Sequence, residues 1–239
     1  MYIVKIASLN INGIRSQTRV GMMMDFLRKH GIDIALVQEF TVPESVILHG
    51  YASHLNIVPD MRGTAIMARK DLHLTKIERI PSRRAIAAEF KGVRPINIYA
   101  SGTAKRAQRE HFFLTELPAL FSAHSHPILL GGDFNCTLQT IDSTGPIVSS
   151  RALVEIIRGL ALTDTWTQDP QRPAYSHYSP SGATRIDRIY LSTANINRKG
   201  NNTNRVYGPS SSRPPTNPPR PRGDEDERSL ENGPNPGTR

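Results

Sequence analysis

Apolar and polar residues follow one another in blocks that predict an α/β domain over residues 1–193. Apolar runs of strand length cover residues 2–9, 32–37, 64–68, 85–90, 95–99, 128–130 and 184–191. Apolar residues at helical spacing cover residues 18–30, 105–123 and 150–160, with Pro118 expected to kink the middle helix. The run at 32–37 is almost entirely apolar, which is typical of a strand buried on both faces.

The pattern changes after about Thr193. From Asn195 onward apolar residues are scarce, prolines are frequent, and an acidic run covers residues 224–227. Such a stretch cannot offset the entropy of ordering by burying apolar surface, so residues 194–239 are predicted to be disordered. Two interpretations stay open: a tail that binds nucleic acid, or a solvated extension, for example one translated out of the original frame.

Composition narrows the class of protein. The 239 residues carry a net charge of +9, which favours a polyanionic partner such as nucleic acid. The single cysteine, Cys136, excludes a disulfide framework and is interpreted as a packing residue. No apolar run approaches the roughly 18–20 residues that span a bilayer, and the N-terminus lacks a signal-peptide layout. We therefore expect a soluble, intracellular protein with no membrane partner.

Polar residues of catalytic type stand where the predicted strands end. They are Asn10, Glu39, Tyr99, Asp133 and Asn135. In open α/β sheets such strand ends converge on one crevice, where ligands bind. Asp133 and Asn135 point the same way on an extended backbone, offering a carboxylate to a water and an amide to a phosphate oxygen. The preceding Gly131 and Gly132 are predicted to let the backbone turn tightly and approach a ligand. The alternative is that the Asp and Asn only cap backbone groups of this turn.

Five stretches in this order resemble the endonuclease/exonuclease/phosphatase superfamily, whose fold is DNase-I-like. They are Ser8–Arg15, Val37-Gln38-Glu39, Asn97-Ile98-Tyr99, Gly131–Asn135 and Arg185–Ile189. The resemblance implies a four-layer α/β sandwich, with two packed β-sheets flanked by helices. Within the superfamily the chain is similar to endonucleases of LINE-type, non-long-terminal-repeat (non-LTR) retrotransposons. Asn12 stands where cellular apurinic endonucleases usually carry Asp, and Tyr175–Ser179 resembles a segment of the retrotransposon enzymes.

This resemblance implies a phosphodiesterase that nicks target DNA with Mg²⁺ or Mn²⁺ and leaves a 3′-hydroxyl for a reverse transcriptase of the parent element. A working enzyme of this kind is expected in the nucleus. Glu39 and Asn10 would hold the metal, and Asp133 would orient and deprotonate the attacking water. Tyr99 and Asn135 would donate hydrogen bonds to phosphate oxygens.

Further residues are candidates for contacts with the DNA backbone. They are Ser176, Arg15, Arg83, Arg84, Lys105, Arg106 and Arg109. The basic residues among them are equally well explained as a solvated surface.

The family pattern also ends with a strand preceded by Ser-Asp-His, whose histidine contacts the scissile phosphate and is oriented by an aspartate that matches Asp187. No Ser-Asp-His occurs in these 239 residues, and the last histidine is His177. The resemblance therefore stops near Leu191, and we expect a domain without its last strand, with the reading frame truncated or shifted there. Asp187 should lack its partner, and a neighbouring strand should expose its edge.

Three functions remain open on these grounds. The first is a retrotransposon endonuclease with residual or no nicking, because losing one member of a catalytic unit often costs orders of magnitude in rate. The second is a phosphatase or phosphodiesterase of the same superfamily that acts on a small substrate. The third is a catalytically dead remnant that at most binds DNA.

Overall fold

The computed structural model describes residues 3–13, 17–41, 48–58, 61–100, 106–121, 126–168 and 175–192. The strands are β1 (Ile6–Asn10), β2 (Ile34–Phe40), β3 (Tyr51–Val58), β4 (Met61–Arg69), β5 (Thr75–Arg79), β6 (Ala85–Glu89), β7 (Arg94–Tyr99), β8 (Ile128–Asp133), β9 (Leu162–Asp164), β10 (His177–Ser179), β11 (Gly182–Thr184) and β12 (Asp187–Ser192). The α-helices are α1 (Gln17–Lys29), α2 (Arg106–His111) and α3 (Arg151–Gly159).

The strands form two mixed sheets and one small hairpin. The first sheet has the order β1-β2-β4-β3, with β1 and β2 parallel and the remaining pairs antiparallel. The second has the order β5-β6-β7-β8-β12-β9, with β7 and β8 parallel. Strands β10 and β11 pair with each other as the hairpin. Among the described strands β1 pairs with β2 alone, so its other edge meets no described strand.

Side chains that alternate along β2 explain why this strand is apolar throughout. Ile34 and Leu36 pack between the two sheets, together with Leu129 of β8 and Ile189 of β12. The residues between them face the other way, against α1. Because both faces are covered, the strand shows no polar alternation, as the sequence predicts.

Helices cover the outer face of each sheet. Four apolar residues of α1 are buried against the first sheet: Val20, Met23, Met24 and Leu27. The second sheet packs against Phe112 and Phe113, which follow α2, and against Leu153 of α3. Helix, sheet, sheet and helices thus form four layers, which confirms the predicted DNase-I-like sandwich.

Three elements differ from the sequence prediction. The helix predicted at 105–123 is divided into α2, a π-helical turn (Phe112–Glu116) and a 3₁₀ turn (Leu117–Leu120). Pro118 lies at the start of the 3₁₀ turn, where its missing N–H costs little. The strand predicted at 184–191 is interrupted between β11 and β12, and the short strand β9 is absent from the predicted strands.

No helix in the described ranges is long and apolar enough to cross a membrane. The predicted disordered segment, residues 194–239, lies outside the described residues.

Candidate active site

Strand register brings the predicted catalytic residues to one edge of the two-sheet stack. Asn10 ends β1 beside Gln38, the residue before Glu39 in β2. Tyr99 ends β7 beside Asp133, which ends the parallel strand β8. Asp187 begins the antiparallel strand β12 directly opposite Asp133. These residues therefore come from both sheets and lie close together.

The side-chain amide of Asn10 connects the two sheets. Its Nδ2 donates to Glu39 Oε1 at 3.2 Å and to Asp133 Oδ2 at 2.8 Å. Its Oδ1 accepts the backbone N–H of Asn12 at 2.9 Å, which fixes the orientation of the amide. One residue thus holds two carboxylates that would otherwise repel each other.

Glu39 is held by an unusual backbone. Its φ is +54°, in the left-handed region, and the register of β2 with β4 shifts between Gln38 and Phe40. A bulge of this kind redirects a side chain, and non-glycine residues with positive φ cluster at functional sites. The carboxylate also forms an ion pair with Arg62 of β4.

Asp133 and Asp187 shape the electrostatics of the site. Asp133 is buried, and burial together with the nearby Asp187 and Glu39 carboxylates raises its pKa well above the ordinary value. Burial also raises the pKa of Asp187 to about 6, more than the Ser176 hydrogen bond lowers it. Raised pKa values on adjacent carboxyl groups are typical of acid–base sites.

Ser176, predicted to contact DNA, is half-buried and lies against Asp187. Its Oγ accepts the backbone N–H groups of Ile186 at 3.2 Å and Asp187 at 3.0 Å, so it fixes the start of β12. Asp187 Oδ1 is buried and has no hydrogen-bond partner among the described residues.

Tyr99 and Asn135 border the carboxylates. Burial, and then the neighbouring Glu39, raise the pKa of the Tyr99 hydroxyl to about 12, so it stays protonated. Asn135 has a φ of +46°, its N–H donates to Asp133 Oδ1, and its Nδ2 donates to the Ala100 carbonyl at 2.7 Å. The amide predicted to reach a phosphate is thus anchored by one of its two N–H groups.

Gly131 and Gly132 lie inside β8 rather than in a turn, which differs from the prediction. A Cβ on Gly131 would lie 2.6 Å from Leu36 Cδ1, and one on Gly132 would lie 2.0 Å from the Ile98 carbonyl oxygen. These glycines therefore allow close packing between the sheets and between neighbouring strands, which positions Asp133.

Two arginines that flank Asp187 hold it in place through a buried ion-pair network. Arg185 and Arg188 each pair with both Asp142 and Asp164, at distances from 2.5 to 2.9 Å. The interruption between β11 and β12 coincides with these contacts. Both arginines belong to the Arg185–Ile189 motif. Their acidic partners are distant in sequence, and no sequence pattern indicates that they pair with it.

A second buried network lies below the site and joins the sheets. Gln38 of β2 donates to Asn97 Oδ1 of β7 at 2.6 Å, and Asn97 donates to the Val37 and Ala65 carbonyls, both at 2.8 Å. Buried polar groups that are paired in this way favour one relative position of the elements they join. The network thus fixes the position from which Glu39 and Tyr99 extend.

The basic residues predicted to contact DNA have different environments. Arg83 and Arg84 lie half-buried in the turn before β6, and the Arg84 carbonyl accepts the Tyr99 N–H at 2.7 Å, which brings this turn close to the site. Arg106 is exposed at the start of α2. Arg109, expected at the rim, is instead buried in α2 because it lies on the inner side of that helix. Arg15 and Lys105 lie outside the described residues.

The donor set fits a hard divalent cation. Besides burial, the nearby Glu39 carboxylate raises the pKa of both Asp133 and Asp187, so the three carboxylates lie close together. Asn10 Oδ1 accepts one hydrogen bond among the described residues and keeps a second lone pair. Within the described ranges no group of three or more His, Cys, Asp or Glu side chains has the geometry of a metal cage. Mg²⁺ suits such a site, since it commonly binds one or two carboxylates and completes its shell with water and substrate phosphate.

Arg62 is the site residue that the sequence alone did not reveal. It stands just before Gly63 at the start of β4, and β4 runs antiparallel to β2 with Gly63 opposite Phe40. The start of β4 therefore lies beside the end of β2. The positive charge of Arg62 indicates a site residue only when the pairing of β4 with β2 is known.

One relative of known sequence is a transposon protein. The chain is 27% identical over 228 residues to the transposon TX1 uncharacterized 149 kDa protein of Xenopus laevis. This match covers 85% of the chain but only 17% of that protein.

Solved structures share the fold at low sequence identity. An AP endonuclease from Archaeoglobus fulgidus superposes with a TM-score of 0.67 at 20% identity, covering 80% of this chain and 88% of that chain. The 3′ phosphatase NExo from Neisseria, bound to a product DNA hairpin, superposes with a TM-score of 0.66 at 22% identity, covering 80% and 88%. Both likenesses concern the fold.

The sequence pattern described as "Endonuclease/Exonuclease/phosphatase family" matches residues 7–222, which is most of the chain and extends past residue 193. The structural neighbours are likewise hydrolytic enzymes of nuclease and phosphatase type. The chain therefore belongs to the Endonuclease/Exonuclease/phosphatase family.

Proposed function

We propose that this chain is a divalent-metal-dependent DNA endonuclease of a non-LTR retrotransposon, which hydrolyses a phosphodiester bond and leaves a 3′-hydroxyl. The observation that carries the proposal is the Asn10 amide, which donates to Glu39 and Asp133 at the same time. This amide joins a carboxylate suited to a cation with one suited to a water. Hydrolysis of a phosphodiester needs both within reach of one phosphate.

Asp133 is the proposed general base. A carboxylate with a raised pKa accepts a proton from water more readily than an ordinary one. Each of its oxygens accepts one hydrogen bond, from Asn10 and from the Asn135 backbone, so the group is held still while lone pairs remain for a water.

Tyr99 and Asn135 are the proposed donors to the phosphate. The Tyr99 hydroxyl keeps its proton at neutral pH because its pKa is raised to about 12. An amide nitrogen carries two N–H groups, so Asn135 can reach a phosphate oxygen while its bond to Ala100 fixes the side chain. Donors held in this way stabilise the charge that develops in the transition state.

Glu39 would hold Mg²⁺ or Mn²⁺, with Asn10 Oδ1 beside it. When bound, the cation supplies charge neutralisation at the scissile phosphate and its leaving oxygen. Asn10 then has two proposed tasks. Its Nδ2 holds Glu39 and Asp133 in place, and its Oδ1, which accepts the Asn12 N–H, would offer its second lone pair to the cation.

Three features support duplex DNA of a retrotransposon target site as the substrate. The net charge of +9 favours a polyanion, and Asn12 matches the retrotransposon form of the first motif. A relative carries the name of a transposon protein. A reverse transcriptase in the parent element and a nuclear place of action are part of this proposal.

The Asp187 carboxylate bears on the rate. Its Oδ1 has no partner among the described residues, and these 239 residues contain no Ser-Asp-His. We therefore expect slow nicking, well below that of an enzyme with the histidine. The same observation favours a second candidate function, an inert remnant that binds DNA through charge alone.

The test is conversion of supercoiled plasmid to open circles by the purified chain with Mg²⁺, with an EDTA control. Under this proposal the nicks carry 3′-hydroxyls that a DNA polymerase extends, and p-nitrophenyl phosphate releases no phosphate. Release from the monoester without nicking would favour a small-substrate phosphatase. Salt-sensitive, metal-independent DNA binding without any cleavage would favour the inert remnant.

A further inference from the structure

Arg62 contacts the carboxylate that the proposed function assigns to the cation. It is the second residue of β4, and its guanidinium pairs with Glu39 Oε2. The Arg62 side chain is 52% exposed, whereas the Glu39 side chain is 11% exposed. The ion pair thus joins a fixed, buried carboxylate to a guanidinium that remains in contact with water.

The surroundings leave room for the Arg62 side chain above Gly13. A Cβ on Gly13 would lie 3.3 Å from Arg62 Nε, so the absent side chain provides space for the guanidinium. Gly13 is itself tied to the site, because its N–H donates to the Glu39 carbonyl at 3.1 Å. Arg62 therefore lies beside Glu39, over a backbone segment that is hydrogen-bonded to Glu39.

Both oxygens of Glu39 are engaged in this structure. Oε1 accepts the Asn10 amide at 3.2 Å, and Oε2 pairs with Arg62. Each oxygen keeps a further lone pair, but a cation bound there would lie close to the positively charged Arg62 guanidinium, which repels it. Binding of a cation to Glu39 therefore favours separation of this ion pair. Asn10 is anchored by its bonds to Asp133 and Asn12, whereas an ion pair with one exposed partner contributes little to stability and separates readily.

We propose that Arg62 is a displaceable counter-ion of Glu39, which competes with the divalent cation for this carboxylate and thereby sets the affinity of the site. This inference rests on the proposed function only in assigning the cation to Glu39. Before the cation binds, Arg62 neutralises Glu39 beside two other carboxylates. When the cation binds, the guanidinium moves into solvent at the opening of the site, where a DNA phosphate is a natural new partner.

The experiment measures binding of Mn²⁺ alone to the full chain, by the loss of the free-Mn²⁺ electron paramagnetic resonance signal at fixed ionic strength. The variants are Arg62→Gln and Arg62→Met, the second of which keeps an apolar stem over Gly13. Glu39→Gln identifies the site, and Arg28→Gln is the control because Arg28 also pairs with a carboxylate, Asp25, at the surface. Circular dichroism compares the fold of all five proteins.

We expect both Arg62 variants to bind Mn²⁺ more tightly than wild type, by roughly 3- to 10-fold, because they lose a competing positive charge. Arg28→Gln should bind as wild type does, and Glu39→Gln should lose the site. Equal or weaker Mn²⁺ binding by the folded Arg62 variants would overturn the inference and leave the proposed function intact. If neither wild type nor the Arg62 variants bind Mn²⁺, both the metal-dependent function and this inference fail.

Discussion

Asp133 and Asp187 lie directly opposite each other on the antiparallel strands β8 and β12. The hydrogen-bonded sheet fixes this arrangement, so the backbones of the two residues cannot separate without breaking strand pairing. Asp133 is buried and Asp187 is half-buried, and burial raises the pKa of both. The folded protein thus keeps two adjacent carboxyl groups whose ionisation costs free energy.

Asp187→Asn should stabilise the protein near neutral pH. The Asp187 pKa rises from 3.8 to about 6 on folding, so its contribution to stability is full below the lower value and is lost as pH rises through the higher one. We predict a higher Tm for the variant at about pH 7.5, with the gain vanishing below about pH 4. Thermal denaturation followed by circular dichroism across this range measures the effect.

Asp71→Asn is the matched comparison, since Arg69 lowers the pKa of this exposed carboxyl. Because folding lowers this pKa, the charged carboxyl stabilises the fold, which is the opposite of Asp187. We therefore expect Asp71→Asn to lower the Tm slightly at neutral pH. A lower Tm for Asp187→Asn at neutral pH would contradict the raised pKa.

Arg188→Gln should destabilise the fold strongly. Its guanidinium is buried between Asp142 and Asp164, and removing it leaves buried negative charge without its counter-ion. Breaking one partner of such a pair costs about 3–5 kcal/mol of unfolding free energy. Denaturant unfolding should also show that Arg158→Gln, which breaks an exposed pair with Glu155, costs less than about 1 kcal/mol. Similar small losses for both variants would mean that the buried network is not a structural anchor.

Gly132→Ala should be far more damaging than Gly159→Ala. Gly132 has a φ of +141°, and a Cβ there would lie 2.0 Å from the Ile98 carbonyl oxygen. Backbone strain and overpacking together should cost about 2–6 kcal/mol. Gly159 lies at the end of α3 with nothing within 4 Å, so alanine there should change stability by less than about 1 kcal/mol. Comparable unfolding midpoints for the two variants would refute the close approach of β8 to β7.

The Cys136 thiol should be unreactive in the folded protein. It is packed in the core beneath the second sheet, and burial raises its pKa to about 11. At about pH 8 very little thiolate is therefore present, and reagent access is blocked as well. We predict no reaction with Ellman's reagent in native buffer and stoichiometric reaction after denaturation in guanidinium chloride. Rapid labelling of the native chain would indicate an exposed thiol.

The residues that sequence reasoning brought together share one property: each ends or begins an apolar strand. Asn10, Glu39, Tyr99 and Asp133 could be predicted to meet because parallel strands deliver their ends to one edge of a sheet. The fold could be predicted because the motifs follow one another in the order typical of the family. Asp187 could be grouped with them only through the family resemblance, since its place depends on the antiparallel register with β8.

The remaining features depend on distances that a sequence does not contain. The bulge that directs Glu39 and its pairing with Arg62 follow from the register of β2 and β4. Arg109 was predicted to contact DNA from its charge, and the orientation of α2 that buries it cannot be read from the sequence. The two glycines before Asp133 resemble a turn in sequence, although in the fold they serve close packing.

The initial rate of plasmid nicking in Mg²⁺, compared between wild type and Asp133→Asn, is the most direct test that this cluster hydrolyses DNA. Wild type should convert supercoiled plasmid to open circles slowly, and EDTA should stop the reaction. Asp133→Asn, folded as shown by circular dichroism, should be slower by about 10²-fold or more, because it removes the general base. Equal rates for the two proteins, or no conversion by wild type, would contradict a nuclease site built on Asn10, Glu39 and Asp133.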